Sequence, residues 1–119
     1  MKYQFKKEIT NPPRNSSARP LVEFGVKVFD KNIEALEQIE WHGWTPSEVQ
    51  MIIDKSKALR GNQVYNYQVS GSDLSIHIYP EEVYFFDWRT EREEEDFKWS
   101  FNEFIDFMEQ FKKFIKENS

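Results

Sequence analysis

The sequence has 119 residues, the length of one domain, and we expect a single domain over residues 1–119. It contains no cysteine and only 2 histidines, which excludes disulfides, thiol catalysis and a histidine-rich metal cluster, and a cytoplasmic location is the natural expectation. The net charge of -5 argues against a nucleic-acid-binding domain, which is normally basic, and no apolar run is long enough to cross a membrane.

Two strands are predicted near the N-terminus, on either side of a proline-rich loop. Apolar and polar side chains alternate over residues 3–9 and again over residues 21–29, and this period of two is typical of half-buried strands. Residues 11–20 contain three prolines, which have no backbone N–H to donate and therefore favour a loop. The second strand is long enough to lie against the first.

Two helices are predicted in the middle of the chain. Asp30 or Asn32 is the expected cap of a short helix that runs through Glu40, with apolar residues along one side. The segment Thr45-Pro46-Ser47-Glu48 has the pattern of a capping box with proline at the first helical position. It predicts a helix from residue 46 to about residue 59.

Three further strands are predicted over residues 64–69, 74–79 and 83–88, with connections of only a few residues between them. Connections this short require neighbouring strands to run antiparallel, so the three strands form a meander. In the middle strand apolar residues alternate with polar ones that include His77, whose side chain we therefore expect on the outer face.

The last helix is predicted from its cap and its apolar stripe. Ser100-Phe101-Asn102-Glu103 is a second capping box, and the residues that follow place a broad apolar face on one side of a helix. A face this broad needs a sheet to lie on. The predicted fold is therefore α+β: a single domain with a mostly antiparallel sheet of about five strands, packed by a C-terminal amphipathic helix and one or two central helices.

Negative charge is concentrated in residues 81–96. This segment has eight acidic residues and two basic ones, so its net charge of -6 exceeds that of the whole chain. Five of the acids fall in residues 91–96, which we call the acidic loop. A solvated loop is one explanation. A docking surface for a cationic partner is the other, because such a partner relieves the repulsion between like charges.

Enzymatic and nucleic-acid-binding functions find less support in the sequence. A serine or threonine nucleophile would need His42 or His77 as its base, but lone histidines are more often surface or packing residues. The acidic loop lacks the glycine and the spaced oxygen ligands of a calcium loop, so we expect no metal or other cofactor. Basic and aromatic residues are interleaved near the N-terminus, but the remaining sequence is acidic, which argues against direct nucleic-acid binding.

Protein binding is the function that the residues favour, because tryptophan anchors lie beside a negative rim. The candidate anchors are Trp41 and Trp44, although Trp44 also fits a hydrophobic staple in front of its capping box. Trp88 is either a further anchor or a core residue. The candidate acidic residues are Glu91, Glu93, Glu94, Glu95 and Asp96, with Glu82 and Asp87 in support.

The whole chain resembles the YacL family of small bacterial proteins. The matching segments are residues 1–5 with Ile9-Thr10, the strand over residues 61–69, the acidic loop and the helix over residues 104–115. The segment Trp41-His42-Gly43-Trp44 departs from the family pattern. This resemblance implies a housekeeping protein without catalytic residues and without a toxin partner.

The chain also resembles immunity proteins of bacterial toxin systems, including the CdiI type of contact-dependent growth inhibition. Such proteins are small, acidic and not enzymes, and many end in an aromatic helix similar to residues 100–107. The resemblance implies tight binding to a cognate toxin inside the producing cell. Toxin domains that attack nucleic acids have basic clefts, which an acidic loop can cover. We therefore expect an immunity protein that neutralises a toxin, with a basic nuclease domain as the partner that the charge fits, and leave the oligomeric state open.

Overall fold

The computed structural model describes residues 2–119 and confirms the predicted α+β class. Six strands and two α-helices follow one another along the chain, with one 3-10 helix before the α-helices and a 3-10 turn within the acidic segment. The bounds are β1 (Tyr3–Thr10), β2 (Leu21–Val28), the 3-10 helix (Lys31–Ile39), α1 (Pro46–Lys57), β3 (Tyr65–Gln68), β4 (Leu74–Ile78), β5 (Glu82–Asp87), the 3-10 turn (Trp88–Thr90), β6 (Phe97–Ser100) and α2 (Phe101–Asn118).

The strands form two antiparallel sheets. β1 and β2 pair over their full length as a two-stranded ribbon, from Tyr3 opposite Val28 to Thr10 opposite Leu21. The other sheet has the order β3-β4-β5-β6, so each strand lies beside its neighbour in sequence and the predicted meander is confirmed. All five expected strands form, but they are divided between two sheets, and a sixth strand follows the acidic loop.

The sixth strand, β6, is too short to show a period of two in the sequence. Its pairing with β5 is what makes it a strand: Phe97 lies opposite Phe85, and the two rings stack with their centroids 4.3 Å apart. Because this stabilising contact joins two strands, the local sequence alone does not reveal it.

The predicted helix starts at Pro46 and Phe101 are confirmed, but only the second has a complete capping box, because the Glu48 carboxylate accepts from the Tyr67 hydroxyl at 2.8 Å instead. The Thr45 hydroxyl accepts a hydrogen bond from the Glu48 backbone N–H at 3.1 Å. At the start of α2, Ser100 and Glu103 exchange side-chain hydrogen bonds with each other's backbone N–H, which completes a capping box. Of the two candidate caps near residue 31, Asp30 is the one that accepts from the backbone, although the helix it begins is of the 3-10 type.

The core lies between α2 and both sheets. The buried side of α2 comprises Phe104, Phe107, Met108, Phe111 and Ile115. Phe111 stacks on Phe5 of the ribbon at 5.6 Å and meets Trp44 edge-on at 5.3 Å. One helix therefore joins the two sheets, because Phe107 of α2 also contacts both Phe5 of the ribbon and Trp99 of β6, at 5.5 and 5.2 Å. No helix in residues 2–119 is long and apolar enough to cross a membrane.

Candidate partner-binding surface

The four-stranded sheet has two chemically different faces. Ile76, Ile78 and Phe85 point to the inner face and are fully buried. Their neighbours His77, Tyr84 and Phe86 point the opposite way and stay half-buried. The register places His77 directly opposite Tyr84, so the outer face presents adjacent rings rather than isolated ones.

Five rings on this outer face form what we call the aromatic platform: His77, Tyr79, Tyr84, Phe86 and Trp88. Phe86 is at its centre, stacked on Trp88 at 5.3 Å and 4.6 Å from the His77 ring. Tyr79 meets Tyr84 edge-on at 5.5 Å. Tyr79 and Trp88 are 38% and 48% exposed, which makes them two of the large hydrophobic side chains that the surface presents to solvent.

Trp88 is held in place although it is exposed. Its indole Nε1 donates a hydrogen bond to the Ser75 hydroxyl at 2.7 Å, and that hydroxyl donates in turn to the Gln68 side chain. The interpretation of Trp88 as a core residue is therefore wrong. An exposed aromatic ring that is already fixed loses little conformational freedom when a partner covers it.

The acidic loop extends from the end of the platform strand β5. It begins after the Trp88–Thr90 turn with Glu91, whose backbone adopts the left-handed conformation at φ 53°. Glu91, Glu93 and Glu94 are exposed, and Glu95 is half-buried. Within the described chain no ion pair involves these four carboxylates.

Two of the predicted partner-binding acids have a different role, because they hold the base of the loop. Asp87 is only 4% exposed and receives three hydrogen bonds from the Arg89 guanidinium, the shortest at 2.7 Å. Asp96 accepts from the Asp87 backbone N–H at 2.7 Å and from the Thr90 hydroxyl at 3.1 Å. The expectation that Asp87 supports the docking surface is wrong, since its carboxylate is buried and already paired.

The ion pair of Asp87 predicts a pH-dependent stability. The hydrogen bond from Arg89 holds the pKa of Asp87 below its ordinary value, so the stabilisation is complete above about pH 4 and is lost as the pH falls through the folded-state pKa. We expect Asp87→Asn to lower the free energy of unfolding by about 1–2 kcal/mol at pH 7. Urea titrations at pH 7 and near pH 2 measure the difference, which should shrink at the lower pH. A deficit that is equal at both values would contradict this role of the charge.

The tryptophans predicted as anchors lie away from the platform. Trp44 is 3% exposed, and its Nε1 donates to the Ile39 carbonyl at 2.7 Å, so the anchor role predicted for it is wrong: Trp44 is a core residue. Trp41 is half-buried and forms a β-bridge with Phe24 of the ribbon. A Cβ at Gly43 would lie 2.0 Å from the Trp41 ring, so any larger residue there would displace that ring from its present position.

A cleft of about 740 Å³ opens at one end of the platform, where the β4–β5 turn faces the segment before β3. It is lined by Tyr79, Pro80, Glu81, Glu82, Tyr84, Phe86, Glu95, Gly61 and Asn62. Sequence reasoning did not find this cleft, although the alternation of aromatic residues along β5 was a signal for the outer face. Its two walls come from segments that only the fold brings together.

Electrostatics divide the carboxylates of the cleft into paired and unpaired ones. The Tyr84 hydroxyl donates to Glu82 at 2.6 Å, and the Lys98 ammonium lies 3.7 Å from the same carboxylate. The hydrogen bond from Tyr84 and the charge of Lys98 lower the pKa of Glu82, which therefore stays ionised. The Glu82 carboxylate is thus paired with Tyr84 and Lys98 in the cleft wall. Glu81 and Glu95 have no ion-pair partner among residues 2–119.

The histidines show no arrangement for catalysis. Burial lowers the pKa of His77, so its ring is neutral at pH 7 and packs on Phe86. In the described residues, neither His42 nor His77 forms a side-chain hydrogen bond with a serine or threonine. The same residues contain no group of three potential ligands that could hold a metal ion.

Comparison of the chain with protein-family models finds no match, and comparisons with curated proteins and with solved structures find none either. The resemblances to the immunity proteins and to the YacL family accordingly stay predictions from the sequence.

Proposed function

We propose that the chain is an immunity protein that binds a cationic toxin domain, of the nuclease class, and blocks its active surface. The observation that carries this proposal is the combination of an aromatic platform, in which Tyr79 and Trp88 are exposed, with unpaired carboxylates at its edge. The binding surface is then the outer face of the four-stranded sheet together with the acidic loop, and not the acidic loop alone.

The platform supplies the anchors for such a complex. Aromatic side chains dominate interface energetics because they bury a large area with few rotatable bonds. Trp88 is prepared for this role by its hydrogen bond to Ser75, and Phe86 beneath it gives the indole a stacked support. A partner that covers these rings removes apolar surface from water, and the cost of ordering the side chains is small because they are already fixed.

The acidic loop supplies the selectivity for charge. A nuclease binds phosphates through lysine and arginine side chains, so its active surface is positively charged. The exposed carboxylates of Glu91, Glu93 and Glu94 attract that surface and accelerate association at low ionic strength. The same carboxylates repel proteins whose own surface is acidic, which restricts the partner to a basic domain.

The test is neutralisation of a toxin domain that is encoded directly beside the gene of this chain. We expect the purified chain to form a stable complex with that domain, to inhibit its nuclease activity at equimolar concentration and to restore growth of cells that express it. The affinity should fall as salt is added. A neighbouring gene that encodes no toxin, or a toxin domain that stays active in excess chain, would contradict the proposal.

A further inference from the structure

The cleft beside the platform combines two features that single charged or apolar patches lack. Tyr79, Tyr84 and Phe86 form aromatic walls, and Glu81 and Glu95 stand at the same opening. No lysine or arginine is among the residues that line it. A cavity with aromatic faces and negative charge fits an organic cation better than an anion or a purely apolar group.

We propose that this cleft receives an arginine side chain of the partner, with the guanidinium against the tyrosine rings and hydrogen-bonded to Glu95 and Glu81. The inference rests on the proposed function, for which it names the residue type that the partner inserts. An arginine in the active surface of a nuclease would otherwise contact phosphate, so its capture here would also block the enzyme.

The aromatic walls have the right geometry for a planar cation. The Tyr79 and Tyr84 rings are nearly perpendicular, at 86°, with centroids 5.5 Å apart. A planar group that enters the corner between them can lie flat on one ring with its own edge against the face of the other. The face of an aromatic ring carries negative charge density, which attracts a guanidinium that stacks on it.

The carboxylates favour arginine over lysine. Glu82 is already occupied by Tyr84 and Lys98, so it keeps the Tyr84 ring in position and is not the main acceptor. Glu95 is half-buried beside Tyr84, where water screens its charge less than that of the fully exposed loop carboxylates. A guanidinium presents two parallel N–H groups to one carboxylate, whereas an ammonium offers a single point of charge.

The size of the cleft is consistent with a side chain and the backbone that carries it. Its volume of about 740 Å³ lies within the range of small-molecule sites and exceeds the space that one guanidinium needs. The occupant that fits is an arginine with its neighbouring peptide groups.

The probes are three short peptides, acetyl-Gly-Xaa-Gly-amide, in which Xaa is arginine, lysine or citrulline. Citrulline has nearly the shape of arginine but no charge. Chemical shifts of the full chain are followed by NMR at low ionic strength. We expect the arginine peptide to bind about tenfold more tightly than the citrulline peptide and more tightly than the lysine peptide, with the largest shifts at residues of the cleft.

Two matched variants locate the binding. Glu95→Gln removes a charge from the cleft, and Glu93→Gln removes one from the exposed acidic loop outside it. We expect the first to weaken arginine binding about fivefold and the second by less than about twofold. Equal effects of the two variants, equal binding of the arginine and citrulline peptides, or no binding of any peptide at about 10 mM would overturn the inference.

The outcome separates this inference from the proposed function. If the chain neutralises its toxin but shows no preference for arginine, the cleft is not the anchor site and the proposed function stands. If the chain binds the arginine peptide in the cleft but leaves the toxin active, the cleft is an arginine site and the proposed function is wrong.

Discussion

Replacement of Phe111 by alanine is expected to lower the free energy of unfolding by about 3–5 kcal/mol. Phe111 is fully buried where α2 packs against the ribbon and against the segment that precedes α1. Its ring contacts Phe5, Trp44 and Phe107 at centroid distances of 5.6, 5.3 and 5.8 Å. Deletion of the ring leaves a cavity whose walls belong to different elements, so no single movement can close it.

Urea denaturation measures this loss, and Phe29→Ala is the matched control. Phe29 is 52% exposed, and the Lys27 ammonium lies 5.6 Å from its ring centre. The same chemical change there should cost less than about 1 kcal/mol. Because domains of this size are stable by only about 5–15 kcal/mol, the loss in the Phe111 variant is a large fraction of the total stability. Similar losses in the two variants would show that α2 does not join the sheets as described.

Reversal of charge at Glu91, Glu93 and Glu94, by substitution with lysine, is expected to weaken toxin binding by about 100-fold or more. The three side chains are exposed, so the reversal should leave the fold intact while it replaces attraction of a basic surface by repulsion. Asp96 is left unchanged because its carboxylate holds the base of the loop through the Asp87 backbone. Glu95 is left unchanged so that the result does not depend on the cleft.

The control for this experiment carries the same change of net charge elsewhere. Asp54, Asp106 and Glu117 are exposed acids of α1 and α2, away from the outer face of the four-stranded sheet. Their replacement by lysine should reduce affinity only a few-fold, through long-range electrostatics. Binding kinetics over a range of salt concentrations distinguish the two variants, since the loop variant should lose its fast, salt-sensitive association. Equal losses in both would mean that overall charge matters and the loop does not.

Local patterns were sufficient for the elements and for the class of fold. The Thr45 cap and the Ser100–Glu103 capping box form because a cap needs only residues within one turn of each other. The meander follows from connections too short for any other arrangement. The concentration of negative charge in residues 81–96 is likewise a property of the sequence, independent of how the chain folds.

The division into two sheets and the composition of the surface depended on contacts between distant residues. Trp44 is buried and Trp88 is exposed, and this difference is set by the partners that the fold brings to them: Phe111 for the first, Ser75 and Phe86 for the second. Asp87 and Glu91 are both acids in one segment, yet one is buried and paired and the other is free. Charge and polarity are properties of each residue type, whereas burial and pairing are properties of the assembled fold. For this reason the sequence predicts the chemistry of this surface but does not predict which side chains are exposed on it.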